Sequence, residues 1–107
     1  VTHYVKPEND GWLASDEGLA FFAVCAERRL IMSLAITPAW LADVRKIAQA
    51  FPDLPILCHH LCEIGAWSGG LEDGLARALA NADVPNILVK VSGFYYGDDR
   101  PWAWPHR

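Results

Sequence analysis

Short segments of β-branched, aromatic and apolar residues alternate along this chain with stretches of helical spacing. The segments lie at residues 1–6, 30–36, 55–60 and 86–91, and such segments bounded by turn residues predict strands. Between them, apolar residues recur every three or four positions, which predicts three helices. These helices are marked by Leu19, Phe22, Ala23 and Ala26, by Leu41, Val44, Ala48 and Phe51, and by Leu71, Leu75, Leu79 and Ala82. The predicted order is β-α-β-α-β-α-β.

This order predicts an α/β fold with a parallel sheet. The second predicted strand is apolar at nearly every position, which is typical of parallel strands that helices cover. Each βα repeat is roughly 25–30 residues long, and right-handed crossovers join such units into one sheet. Ser15 and the pair Thr37-Pro38 predict where the first and second helices begin. Four strands fit either a small doubly wound sheet or part of a (β/α)₈ barrel, which needs about 250 residues.

Composition narrows the class of protein. Of the 107 residues, 52% are hydrophobic and 21% are charged, which is typical of a globular chain with a core. The net charge is −4 and the basic residues are scattered, so we expect no nucleic-acid partner. The longest apolar run is too short to span a membrane, so we expect no membrane partner either. Three cysteines, an odd number, favour a reducing compartment, and we expect a cytoplasmic protein.

The end of the third predicted strand carries the side chains best suited to chemistry. Strand alternation places Cys58 and His60 on one face and His59 on the other. The carboxyl end of a parallel strand is where α/β enzymes place catalytic groups and metal ligands. His60 is therefore our candidate catalytic residue and metal ligand. The alternative is a buried histidine that is hydrogen-bonded to a neighbour.

A structural zinc site is a weaker interpretation of the same segment. Cys58, His59, His60 and Cys62 are all potential ligands. Structural zinc sites use two spaced pairs, however, and the sequence has no second pair. A small zinc-binding domain built on Cys58, His60 and Cys62 stays open as a minor alternative. Cys25 lies on a predicted helix face and is expected to pack in the core.

The fourth predicted strand offers candidate substrate-binding residues. Lys90 interrupts an otherwise apolar strand and shares a face with Ser92. An unpaired buried charge costs several kcal/mol, so Lys90 needs a partner or a function. Its side chain either reaches solvent or pairs with a carboxylate at the strand end, or it is a cation beside the substrate. The aromatic loop that follows, with Tyr95, either lines a pocket or seals the edge of the core. The sequence contains no glycine-rich phosphate loop and no GxSxG motif.

Two segments resemble the amidohydrolase-related family, the metal-dependent hydrolases with a TIM-barrel fold. FPDLPILCHHL, at residues 51–61, is similar to the family's strand that ends in DHLG or HHLG. NILVKVSGFYY, at residues 86–96, is similar to its later strand N-VKLSGLY, and PWAWPHR resembles the proline- and aromatic-rich loop that follows.

The resemblance implies a hydrolase or decarboxylase that acts on a lactone, an amide or an aromatic or other carboxylic acid. His60 matches the family's strand-end histidine, a ligand of a divalent metal, zinc being the expected one, or a substrate-polarising group in members without metal. Lys90 and Ser92 match the KLSG motif, and with Tyr95 they form the expected substrate-binding set.

The chain also departs from the family's pattern. The family's first strand carries an HxH pair and a late strand ends in aspartate, and neither has a counterpart here. Ala35 and Ile36 stand where many members have a histidine, and Cys62 replaces the usual glycine.

We therefore expect residues 1–107 to be the central, incomplete part of a TIM-barrel domain. The parent protein would be an enzyme of lactonase or decarboxylase type with a small-molecule substrate. The isolated chain would be inactive, and its open sheet edges could support a homo-oligomer. The alternative is a small non-catalytic α/β module that binds a partner or self-associates.

Overall fold

The structure, a computed structural model, describes residues 1–6, 11–65 and 68–93. The predicted Tyr95 and the aromatic segment that contains it lie outside these residues. The elements follow the predicted order: β1 Thr2–Tyr4, α1 Asp16–Glu27, β2 Met32–Ala35, α2 Leu41–Ala50, β3 Ile56–Cys58, α3 Leu71–Leu79 and β4 Ile87–Val89. Short 3₁₀ turns, Pro38–Trp40 and His60–Glu63, precede α2 and follow β3. Each strand is shorter at both ends than the apolar run that predicted it.

The described strands form one parallel sheet in the order β1-β2-β3-β4. Its register aligns Thr2 with Ser33, Ser33 with Leu57, and Leu57 with Leu88. These four residues form a row on one face of the sheet, since side chains in register point the same way. The predicted parallel α/β fold is confirmed.

Among the described elements, α1 and α2 cover the opposite face of the sheet. The core cluster joins residues of these helices, such as Phe22 and Val44, to Met32, Leu34 and Cys58 of the strands. We call the other face, which carries the row of Ser33, the inner face. A doubly wound sheet has helices on both faces, whereas a barrel has them all outside. Sequential strand order with helices on one face is consistent with part of a TIM barrel.

The helix starts follow local rules only in part. Ser15 caps α1 as predicted: its Oγ accepts a hydrogen bond from the backbone N–H of Gly18 at 3.1 Å and donates one to the carbonyl of Trp12 at 2.6 Å. Thr37 and Pro38 do begin a helical segment, because Thr37 is the N-cap residue of the 3₁₀ turn Pro38–Trp40, although its side chain makes no cap bond. The helix α2 begins only after this turn, at Leu41, and such turns are frequent at helix N-termini.

Helix α3 forms where its apolar spacing predicts it, but its leucines are not covered by the described residues. Leu71, Leu75 and Leu79 are 47%, 48% and 62% exposed. The buried position of α3 is Gly74, which lies against Ile64 and Pro38. The β4 side of the described structure therefore presents an apolar surface, consistent with a sheet that continues in a complete barrel.

Asn86 ties the end of α2 to the start of β4. Its Nδ2 lies 3.0, 3.0 and 2.9 Å from the carbonyl oxygens of Ala48, Phe51 and Leu54. These hydrogen bonds fix the position at which β4 begins in the sheet, and therefore the position of its carboxyl end.

In the part of the chain that the structure describes, no helix is both long and apolar enough to cross a membrane.

Candidate functional site

The carboxyl ends of the four strands bring polar side chains to one edge of the sheet. Parallel strands share this edge, so residues that end different strands become neighbours. We call this group the strand-end cluster, and it consists of Tyr4, Ser33, His59, His60, Lys90 and Ser92. Tyr4 ends β1 and Ser33 lies within β2, whereas the other members follow β3 or β4.

His59 belongs to the inner face. Its backbone N–H donates to the carbonyl of Leu34 at 2.9 Å, which continues the pairing of β3 with β2. The ring Nε2 is hydrogen-bonded to the Oγ of Ser33. The ring also meets that of Tyr4 edge-on, with centroids 6.5 Å apart. His59 therefore lies on the face opposite to buried Cys58, as strand alternation predicts.

The surroundings of His59 favour its neutral form. Burial lowers the pKa of its ring from the ordinary value, and electrostatic interactions with Lys90 and His60 lower it further. Lys90 directly follows β4, and its backbone N–H donates to the carbonyl of Cys58 at 2.8 Å, beside His59 in the adjacent strand. A neutral imidazole can accept a proton, which is the property that a general base needs.

His60 lies beyond the strand, in an unusual turn. His60, Leu61, Cys62 and Glu63 all have left-handed backbones, with φ of 49°, 53°, 58° and 52°. The strand alternation that was expected to place His60 with Cys58 therefore ends at β3, and that expectation was wrong. The turn instead brings Nδ1 of His60 to within 3.0 Å of the Oγ of Ser92, and its ring centroid lies 5.4 Å from that of His59.

The loops after β3 and β4 pack closely on each other. The N–H of Leu61 donates to the carbonyl of Lys90 at 3.0 Å. A Cβ added at Gly93 would lie 2.6 Å from Nδ1 of His60, so only glycine leaves room for the ring in this arrangement. The two strand ends thus hold His60 from both sides.

Lys90 is exposed, so it is the strand-end lysine that reaches solvent rather than a buried charge. The ion pairs found among residues 1–6, 11–65 and 68–93 are Arg45–Asp83, Lys46–Asp43 and Arg77–Asp73. None of them involves the strand-end cluster. The cluster therefore carries one positive charge outside these ion pairs, and Lys90 is available to an anionic group.

The cysteines belong to the packed interior. Cys58 and Cys62 are buried with free thiols, and Cys25 is buried in the same core. The hydrogen bond that Cys58 donates to Cys62, together with burial, raises the pKa of the Cys58 thiol, and accepting that bond lowers the pKa of Cys62. Burial also raises the pKa of Cys25. The expected packing role of Cys25 is confirmed.

The described residues alone do not fit a metal site. Across the described ranges, no group of three or more His, Cys, Asp or Glu side chains could hold a metal ion. The small zinc domain on Cys58, His60 and Cys62 is therefore not formed by them. A catalytic zinc takes three protein ligands, so a zinc ion bound to His60 would need ligands from elsewhere in the protein.

The structure brings together three of the four predicted site residues, His60, Lys90 and Ser92. Three members of the cluster, Tyr4, Ser33 and His59, were not among the predicted site residues, and His59 had been considered only as a potential zinc ligand. Ser33 did carry a signal, because it is the one polar residue in the apolar segment 30–36. Tyr4 carried none, since a tyrosine in a short β-branched segment is ordinary.

Comparison with known proteins supports the predicted resemblance. No protein-family model and no curated protein matches the chain. Among solved structures, the chain is similar to Amidohydrolase 2 from Bifidobacterium longum subsp. infantis, with 25% identity and a TM-score of 0.64. The similarity covers 92% of this chain and 39% of that one, so the chain spans about two fifths of the length of its structural relative. The likeness supports a fragment of an amidohydrolase-family protein with part of a TIM barrel.

Proposed function

We propose that this chain supplies the strand-end part of the active site of an amidohydrolase-like hydrolase. The observation that carries the proposal is the meeting of His60, Lys90 and Ser92 at the carboxyl edge of a parallel sheet. Barrel enzymes build their active sites at this edge. The structural likeness to an amidohydrolase supports hydrolytic chemistry.

The proposed substrate is a small lactone, amide, or aromatic or other carboxylic acid. The side chains at this edge include several that can donate hydrogen bonds, and Lys90 adds a positive charge that none of the described ion pairs neutralises. Charged donors bind carboxylate and carbonyl oxygens more strongly than neutral ones do. Lys90 would hold a carboxylate or carbonyl oxygen of the substrate. The part of Tyr95 in substrate binding stays a prediction from the family resemblance.

His60 would polarise the carbonyl that is attacked. In the tautomer with Ser92 O–H donating to Nδ1, the His60 ring carries its hydrogen on Nε2, and that N–H can donate to the substrate carbonyl oxygen. For a lactone or amide, water adds to the carbonyl carbon and releases one proton to solvent, while His60 stabilises the negative charge on the carbonyl oxygen. When the C–O or C–N bond breaks, the leaving alcohol or amine takes one proton from solvent. A preorganised donor of this kind stabilises the transition state more than the ground state.

The divalent metal that the family resemblance implies, zinc, stays a prediction, as does the role of His60 as its ligand. The described residues provide His59 and His60 near each other but no set of three ligands. Polarisation of the substrate by His60 uses groups of this chain alone, and it is the role that the observed contact with Ser92 supports.

His60→Asn is expected to abolish most hydrolysis without unfolding the protein. Asparagine tolerates the left-handed backbone that residue 60 adopts, so the turn is preserved. Loss of one donor to a developing oxyanion lowers kcat by about 10²–10³. Turnover would be measured in the complete parent protein, because the isolated chain is expected to be inactive, on a panel of lactones, amides and aromatic acids. The free energy of unfolding would be measured by urea denaturation.

Ser92→Ala is the matched comparison, because it keeps the imidazole and removes only the hydroxyl that orients it. We expect a smaller loss of kcat than in His60→Asn. Wild-type kcat in the folded His60→Asn protein, on a substrate that the protein hydrolyses, would show that His60 does not polarise the carbonyl.

Self-association is the second candidate function. The described sheet ends in two open strands, β1 and β4, and the leucine stripe of α3 is exposed. Open edges and apolar patches favour association. We expect sedimentation velocity to show larger species as concentration rises, and Leu75→Lys to reduce them more than Ala76→Lys, which adds the same charge beside the stripe. A monomer at every concentration would contradict this function.

A further inference from the structure

The strand-end cluster contains a second serine–histidine contact, which the proposed function does not use. Ser33 lies in β2 and His59 directly follows β3, 26 residues later, and the parallel register brings them together on the inner face. The ring Nε2 of His59 is hydrogen-bonded to the Oγ of Ser33. A serine hydroxyl in hydrogen-bond reach of a histidine is the arrangement that activates serine as a nucleophile.

We propose that Ser33 and His59 form a nucleophile–base pair that hydrolyses esters or lactones through an acyl-serine intermediate. Ser33 is half-buried and is the one polar residue of its apolar segment, and its hydroxyl is hydrogen-bonded to the His59 ring. The backbone bond from His59 to Leu34 fixes the base relative to β2, the strand that carries the nucleophile. Ser33 is therefore held in β2, and His59 is held at the end of the adjacent strand β3.

The neighbours of His59 fit the same chemistry. The rings of Tyr4 and His60 both meet the His59 ring edge-on or nearly so, with centroids 6.5 and 5.4 Å away, and limit its rotation. Lys90 follows the adjacent strand, where the backbone bond to Cys58 places it beside His59. Its positive charge acts on the His59 ring, whose pKa it lowers after burial has done so, and it can stabilise an oxyanion.

In the acylation step, the hydroxyl of Ser33 donates its hydrogen bond to Nε2 of His59 in the tautomer with hydrogen on Nδ1. The Oγ attacks the ester carbonyl carbon, and the proton moves to Nε2. The carbonyl oxygen takes the negative charge. When the C–O bond of the ester breaks, the imidazolium returns the proton to the leaving alkoxide, and Ser33 keeps the acyl group.

Water completes the cycle. His59 removes a proton from a water molecule as the water oxygen attacks the acyl carbon, and the proton then passes to the departing Oγ of Ser33. The net reaction converts one ester and one water into one acid and one alcohol. No metal takes part, and His60 is not required, so this inference is independent of the proposed function.

A fluorophosphonate, which phosphonylates activated serines, tests the pair directly. The purified protein would be incubated with the probe in the presence of a metal chelator, and the adduct located by peptide mass spectrometry. We expect one adduct, on Ser33. The other serines, Ser15, Ser68 and Ser92, serve as internal controls in the same molecule.

Variants then test whether the reactivity of Ser33 depends on His59 and not on a neighbouring hydroxyl. His59→Gln should slow the labelling of Ser33 by about 10²–10⁴, the usual contribution of a general base. Thr2→Val removes the neighbouring hydroxyl in the same row of the inner face and should leave the labelling rate unchanged. Ser33→Ala should remove both the adduct and the acylation burst with p-nitrophenyl acetate.

The labelling experiment uses the wild-type protein, so its result does not depend on whether a variant folds. An adduct on another serine, an unlabelled wild-type protein, or equal labelling rates in His59→Gln and the wild type would each overturn it. Labelling of Ser33 together with unchanged turnover in His60→Asn would support this inference and contradict the proposed function, so the two fail separately.

Discussion

Gly18→Ala is expected to lower the free energy of unfolding by about 2–3 kcal/mol, as overpacking of a tight site does. A Cβ at position 18 would lie 2.1 Å from the carbonyl oxygen of Trp12, and 2.7 and 3.0 Å from the carbonyl oxygen and carbon of Leu13. These are backbone atoms that cannot rotate away. In a domain of this size, such a loss lowers Tm by about 10 °C or more.

The loss arises because α1 begins against its own preceding turn. The Oγ of Ser15 bonds both the N–H of Gly18 and the carbonyl of Trp12, so this cap draws the carbonyl toward the helix. Alanine would have to push the turn away and break the cap, and a lost N-cap alone costs about 1 kcal/mol. The intrinsic preference of helices for alanine over glycine, about 1 kcal/mol, offsets only part of this.

Gly74→Ala is the matched control, because Gly74 is the buried glycine of another helix. A Cβ there would meet side-chain atoms, Cγ2 of Ile64 at 2.9 Å and Cγ of Pro38 at 3.1 Å. The isoleucine can adjust, and the gain in helix propensity opposes the remaining strain. Thermal and urea unfolding of both variants would check the difference. A Gly18→Ala protein as stable as Gly74→Ala would contradict the close approach at the start of α1.

The elements of the fold could be predicted from the sequence because each depends on local pattern. The apolar runs predicted four strands, the helical spacing predicted three helices, and Ser15 predicted the start of α1. The apolar spacing did not predict which side of a helix becomes buried. The stripe of Leu71, Leu75 and Leu79 predicted α3 correctly, yet Gly74 faces the described core, because burial depends on what packs against the helix.

The site could be predicted only as a region. His60, Lys90 and Ser92 were predicted from the strand ends, but the contact between Ser33 and His59 joins residues 26 positions apart and depends on the register of β2 and β3. The left-handed turn at His60–Glu63 contains no glycine or asparagine, the residues that usually mark such a backbone. One signal existed: Cys62, with φ of 58°, stands where the family has glycine.

Gly93→Ala is expected to displace the ring of His60. Position 93 has φ of 64°, and a Cβ there would lie 2.6 Å from Nδ1 and 2.8 Å from Cβ and Cγ of His60. The ring cannot simply withdraw, because the N–H of Leu61 is bonded to the carbonyl of Lys90 and holds the turn in place. We expect the bond to Ser92 to break and the free energy of unfolding to fall by about 2–3 kcal/mol, from left-handed strain and overpacking together.

Gly11→Ala separates the effect of left-handed backbone strain from that of overpacking. Gly11 has a similar backbone, with φ of 77°, but a Cβ there meets nothing within 4 Å. It should therefore lose only the left-handed strain, about 1–2 kcal/mol. Histidine ring NMR would show the signals of His60 shifted in Gly93→Ala and unchanged in Gly11→Ala. If instead both variants lost the same stability with unshifted His60 signals, the close packing of the two strand ends would be wrong. If His60 polarises the substrate, Gly93→Ala should also lose turnover almost as completely as His60→Asn, although it leaves the imidazole in the chain.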